Sequence, residues 1–567
     1  MTPTRALARL AELRGAYGPG VSPERLLLLR VLEEGGLRTA AQVRTLHELL
    51  CFLHAYPDDA EVFTRVARMV RLFDARRDLV RFRRRLVNSG TAGTDIVYPF
   101  GFSTARWLAA RCGGSLTVEW ASVGRPDVLE GRMPLFSLWA ERPVFDEPPL
   151  GGRQWLERLR GRQTDAAFII GRSEALPIRG MARDHLYDEL SLTLRVSAGP
   201  NAPDRTRARV PGRRLVTQPV PLRTARPDIV AEMTRPPRRV RRIGVRQGRM
   251  LLDLAREAMV TRERDLYIFT AANLDDACLV ECGDGLDFFC IGVVPEQRLL
   301  LDAVYGLLTL RNGVPIGYAL FSTLWRSSEV AYNVFESFRG GESAWVYGRL
   351  LATIRLMFGV DTFTVDPYQL GHHNDEGIES GAWWFYYKLG FRPRDRAVAR
   401  MARVEAGRVA ARRGYRTPPE TLRTLVAAHL FLQPGPRRRD VIGEVSTGAI
   451  GLAVTDYVND RFGLDRERAT SVLVEEAAAR LPARDWRRWS AGERLFFERW
   501  APLVALMPGL DGWSASEKQA LAAVIRAKGG RRESEFVGRF DAHPRVGAAL
   551  VAMARQAASR KPRAESR

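Results

Sequence analysis

Arg339-Gly340-Gly341-Glu342-Ser343-Ala344 stands directly before an apolar stripe at helical spacing: Tyr347, Leu350, Leu351, Ile354, Met357 and Phe358. A helix start leaves backbone N–H groups unpaired and carries partial positive charge, and two glycines let a ligand come close to that backbone. The chemistry this permits is the cradling of a phosphate; the same residues also read as a plain helix cap. Glu342 sharpens the choice, because a carboxylate suits a helix N-terminus but repels a phosphate unless it turns away. Two further carboxylates could accept a proton. Glu336 falls two residues beyond Val334, on the same face of an extended segment, and Asp366 ends the next short apolar run. Glu336 reads equally as an exposed turn carboxylate, and Asp366 is the reserve. His372-His373 follow in a polar loop with no third ligand at metal-binding spacing, so no metal is expected.

The elements that must position these residues have clear local signals. Ala303 to Leu310 and Val314 to Phe321 are apolar runs joined across Asn312-Gly313, a pair that accepts positive φ at both turn positions and so predicts a hairpin. Val330 to Phe335 predicts a third strand, Thr362 to Asp366 a fourth, and Ser380 to Leu389 a helix stopped by Gly390-Phe391. Met250 to Val260 is amphipathic and predicts a helix in front of the hairpin, with a turn at Cys282-Gly283-Asp284-Gly285.

That order of elements, with those residues, resembles the GCN5-related N-acetyltransferase family over about residues 250–400. Val334, Phe338, Arg339, Gly340 and Ala344 match the family's strand-to-helix pattern. Ala382, Tyr386, Lys388, Leu389, Gly390 and Phe391 match its later pattern. Glu342 departs from it at a glycine position and Glu379 at an asparagine position. The resemblance implies an acyl-CoA-dependent N-acyltransferase that takes acetyl-CoA or another acyl-CoA as co-substrate, with an amine as acceptor. It implies that Arg339, Gly340, Gly341, Glu342, Ser343 and Ala344 hold the phosphates, and that the Val334 N–H polarises the thioester carbonyl. Tyr386 takes the place of a phenolic acid, although Ala382, Tyr386 and Leu389 also share one helix face and suit a core. Glu336 is then the first candidate base and Asp366 the second. Two alternatives stay open: an aminoacyl transferase of the same fold that draws on charged tRNA, and an inactive interaction scaffold.

A chain of 567 residues is too long for one core. The expected class is mixed α/β (α+β): a helical region over 1–89, a small α/β domain over 90–196, a Pro/Arg-rich linker over 197–245, the transferase-like mixed sheet over 246–405 and a helical region over 406–567. Within the small domain the expectations are strands at Asp95 to Phe100, Ser115 to Trp120 and Asp165 to Ile170, with helices at Phe102 to Arg111 and Gln154 to Arg160. Ser490-x-x-Glu493 and Ser514-x-x-Glu517 predict capping boxes, and the tail after Arg555 reads as frayed. Five scattered cysteines argue against a disulfide framework, and no apolar run is long enough to span a bilayer, so the expected location is cytoplasmic with no membrane partner. The net charge of +22 invites nucleic acid as a partner, yet all but four of the 87 basic residues are arginine and they are spread throughout, as a GC-rich genome would leave them.

Overall fold

The computed structural model describes residues 1–146, 151–178 and 180–559. It is a mixed α/β fold built on a nine-stranded sheet. A three-stranded sheet before it, β1 (Ile96–Tyr98), β2 (Leu116–Val118) and β3 (Leu194–Val196), has the order β1-β3-β2. The large sheet uses β4 (Arg239–Arg242), β5 (Ala272–Gly283), β6 (Leu286–Val293), β7 (Ala303–Arg311), β8 (Val314–Leu324), β9 (Ser327–Val334), β10 (Thr362–Val365), β11 (Arg392–Pro393) and β12 (Leu430–Leu432). Its order is β11-β12-β10-β9-β8-β7-β6-β5-β4, antiparallel except between β9 and β10. Strands from either side of 246–405 therefore complete the sheet. β4 comes from the stretch expected to be linker, and β12 comes from the stretch expected to be helical.

The β7–β8 hairpin forms as its turn chemistry requires. Asn312 and Gly313 take φ of 49° and 79°, and Arg311 pairs with Val314. Side chains alternate between two faces along these strands. Tyr305, Leu307, Ala319, Phe321 and Val330 share one core with the helix Ser343–Phe358 and the C-terminal helices. Leu308, Leu310, Ile316 and Tyr318 face the opposite way, into a core made with the helices Val21–Glu34, Ala40–Ala55, Ala60–Arg71 and Val245–Val260. Each fully buried side chain of this kind contributes roughly 1.5–3 kcal/mol, so the sheet is held from both sides.

Two expectations are corrected. Asp165 to Ile170 is not a strand but the start of the helix Asp165–Ala175, because Thr164 caps it by accepting from the Ala167 N–H. A short continuous apolar run does not by itself separate a strand from a buried helix. Nor is the stretch from 197 to 242, expected as a linker, free of the fold. It is a strap pinned along the molecule: Val210 N–H donates to the Gly313 carbonyl, Gln218 N–H to the Pro57 carbonyl, and the Asn312 side chain accepts from Val216 N–H at 2.9 Å. Both capping boxes form. The last helix, Val546–Ser559, continues past Arg555, and the remainder of the tail lies outside the described residues. Among the described residues no helix is long and apolar enough to cross a membrane.

Candidate active site

β9 and β10 start side by side and then part. They pair only at Ser327, Ser328 and Glu329, opposite Thr362, Phe363 and Thr364. β9 meanwhile stays in register with β8 as far as Gly317 opposite Val334. Beyond Glu329, then, β9 has an edge that β10 does not pair. Phe335 N–H donates to the Ile316 carbonyl on β8, and alternation along the strand turns the N–H groups of Tyr332 and Val334 the other way, onto the unpaired edge. Arg339 Nε reaches the same edge, donating to the Val334 carbonyl at 3.3 Å.

Tyr386 comes to this edge from the helix Ala382–Lys388. Its ring is buried against Tyr347 and Phe391, at 5.6 and 5.7 Å between centroids. Burial holds the phenol well above its ordinary pKa, against an opposing influence from the Tyr332 backbone. The phenol is therefore protonated across the physiological range.

The glycine loop lies at the open end of the same strand. Gly340 has φ of 79°, with empty space where a Cβ would point. Glu342 is the N-cap residue of the helix Ser343–Phe358, and its side chain does not cap it. The carboxylate is buried instead: it lies 3.4 Å from Arg311 Nη1 and accepts from the Arg223 backbone N–H at 3.5 Å. It thus points into the protein and away from the helix mouth. Among the described residues no acceptor meets the N–H groups of Gly341, Glu342 and Ser343. Arg339 is half exposed and pairs with Glu376 at 3.3 Å. Ala344 opens onto a groove of about 830 Å3 lined also by Arg226, Glu379, Trp384, Phe385 and Lys388. Cations and aromatic faces thus line the groove beside the helix start.

At the point where the strands part, three ionisable groups converge. Glu329 faces Thr364 across β9–β10, and Thr364 faces Phe431 across β10–β12. Asp366 and His429 each lie two residues from that row, so all three side chains fall on one face of the sheet. His429 Nε2 is 3.4 Å from Asp366 Oδ2, and one ligand atom from each of the three residues lies within 4.8 Å of the others. Burial, reinforced by the charge of Asp366 and opposed by His429, lifts the Glu329 carboxyl to about 7. The hydrogen bond with His429 holds Asp366 below the usual carboxylate range. Asp366 also caps the turn Pro367–Leu370, accepting from Tyr368 N–H at 2.8 Å. Such a set can move a proton near neutral pH, and its donor types suit a divalent cation.

The expected residues are thus partly gathered. Val334, Arg339 to Ala344 and Tyr386 lie along or beside the unpaired edge, and Asp366 lies at its base. Glu336 does not join them, since β9 ends at Val334 and Glu336 falls in a 3-10 turn. There it is exposed and faces Arg44 of the N-terminal helices at 3.4 Å. Glu329 and His429 were not expected. Glu329 had a faint signal as a lone carboxylate inside a strand of small and apolar residues. His429 had none. No family model, curated protein or solved structure matches this chain.

Proposed function

We propose that the chain is an acyl-CoA-dependent N-acyltransferase of the GCN5-related type, acting on an amine. The observation that carries the reading is the parting of β9 from β10 after three residue pairs, with phosphate-ready N–H groups at one end of the edge that β10 leaves unpaired and a near-neutral carboxyl at the other. The acyl-CoA is a substrate here. Gly340, Gly341, Ser343 and Ala344 with Arg339 would hold its phosphates, and the Val334 N–H would donate to the thioester carbonyl oxygen as negative charge grows there. Glu329, with Asp366 and His429 beside it, takes the proton from the attacking ammonium, which frees the nitrogen lone pair to form the C–N bond. Tyr386 gives its proton to the sulfur as the C–S bond breaks, and the second proton shed by the attacking nitrogen restores the phenol, leaving an amide and a free thiol. The inward turn of Glu342 removes the electrostatic objection to phosphate binding and weighs against the scaffold reading.

The test pairs binding with turnover. Calorimetry with acetyl-CoA and longer acyl-CoAs should give saturable binding, and a panel of amines should reveal acceptor-dependent release of free thiol. Glu329→Gln should keep the binding and lose the release. A native protein that binds no CoA species would sink the proposal.

A further inference from the structure

Six arginines and no carboxylate line a pocket of about 610 Å3 at the β11–β12 end of the sheet. Arg396, Arg400 and Arg403 project from one face of the helix Arg396–Ala411, spaced i, i+4 and i+7. All three are exposed, and among the described residues none meets a carboxylate or any other hydrogen-bond acceptor. Opposite them Arg392 and Arg394 are held firmly. Arg392 donates to the Tyr387 and Phe391 carbonyls at 2.6 and 2.8 Å and lies over the Tyr387 ring at 4.2 Å. Arg394 donates to Gln433 Oε1 at 2.6 Å and lies over the Phe431 ring at 4.0 Å. Arg437 closes the rim, and it shares with Arg394 the nearby carboxylate of Glu444, at 3.6 and 3.3 Å.

This differs from the scattered arginine of the rest of the surface. Like charges converging on a concave wall repel one another and focus a positive potential, which a polyanion relieves. Planar guanidinium forks match phosphate oxygens two at a time. We propose that this pocket binds clustered phosphates, with the fixed Arg392 and Arg394 as its floor and Arg396, Arg400 and Arg403 as its gripping face. Two sources share that chemistry, an RNA strand and a free polyphosphate.

The experiment uses the full chain with a fluorescent single-stranded RNA, inorganic tripolyphosphate as competitor and a salt titration. The triple variant Arg396→Glu/Arg400→Glu/Arg403→Glu should bind roughly tenfold more weakly or worse, with a log–log salt slope shallower by about two for three lost phosphate contacts. The control is Arg83→Glu/Arg84→Glu/Arg85→Glu, an exposed arginine run elsewhere, which should lose far less. RNA binding much tighter than tripolyphosphate assigns the phosphodiester chain; tripolyphosphate binding without RNA binding assigns the small ligand. Either assignment stands only if the pocket variant weakens it. Circular dichroism checks folding, and the Gln triple replaces the Glu triple if that variant unfolds. The proposal is overturned if native protein binds neither ligand, or if the pocket variant loses no more than the control.

Discussion

Lys528 and Glu533 meet where the C-terminal helices dock on the sheet; Glu329, Asp366 and His429 meet where β9 and β10 part. In the first cluster both side chains are fully buried. Lys528 Nζ donates to the Leu301 and Asp302 carbonyls and to Glu533 Oε1, at 3.2, 2.8 and 2.5 Å, which uses all three of its protons. Arg298 lies alongside and donates to the Val293, Lys528 and Gly530 carbonyls. Every cation has its acceptors, and the segments it joins are far apart in sequence. In the second cluster His429 pairs with Asp366 and lies beside Glu329, among the described residues no arginine or lysine pairs with either carboxylate, and part of the surface is open. A closed set of fixed charges locks segments together. An open set with surplus negative charge raises a carboxyl toward neutral pH, and on the proposed reading that difference separates a structural cluster from a reactive one.

The sharpest way to break the comparison is Glu329→Gln. Turnover with the acceptor found by screening should fall by roughly 10²–10⁴, the range for a positioned proton acceptor, while acyl-CoA affinity holds. In the native protein kcat/KM should drop as pH falls below about 7, where the Glu329 carboxyl takes up its proton. Unchanged turnover would make this cluster as structural as the other. Lys528→Met should do the reverse, costing about 3–5 kcal/mol in denaturant unfolding because Glu533 loses its hydrogen-bonded cation and keeps only the longer contact with Arg298, with no specific loss of CoA binding under conditions where the variant folds. A third measurement sharpens the contrast through pH. The folded Glu329 carboxyl titrates above its unfolded value, so the native state binds more protons between about 4.5 and 7 and loses stability as pH rises through that window. Glu329→Gln should therefore be more stable than native by ~2 kcal/mol at pH 8 and gain nothing at pH 4. The smallest change is Ser343→Asp at the helix start. A carboxylate there should leave the melting temperature level or slightly raised, by up to about 1 kcal/mol of helix stabilisation, yet weaken CoA binding by about 1.4 kcal/mol or more, a factor of ten. Equal CoA affinity would leave the glycine loop a plain cap.

Much of the fold could be read from the chain because its signals are local. Asn312-Gly313 specifies its own hairpin, Ser490 with Glu493 and Ser514 with Glu517 specify helix starts, and the stripe from Tyr347 to Phe358 specifies the helix behind the glycine loop. Where a local signal is degenerate, as in the apolar run after Asp165, the reading fails and the N-cap at Thr164 decides. The residues of the glycine loop, Val334 and Tyr386 were equally legible, since each belongs to one contiguous pattern. What tertiary structure alone decided is which charges meet. His429 reaches Asp366 because β12 inserts between β10 and β11, and Glu329 joins them because β9 and β10 pair for three residues and no further. Glu342 faces Arg311 because the strap brings Arg223 over the helix start. Strand pairing, burial and ion pairing between distant segments depend on the whole chain closing on itself, and the spacing of neighbouring residues carries no trace of them.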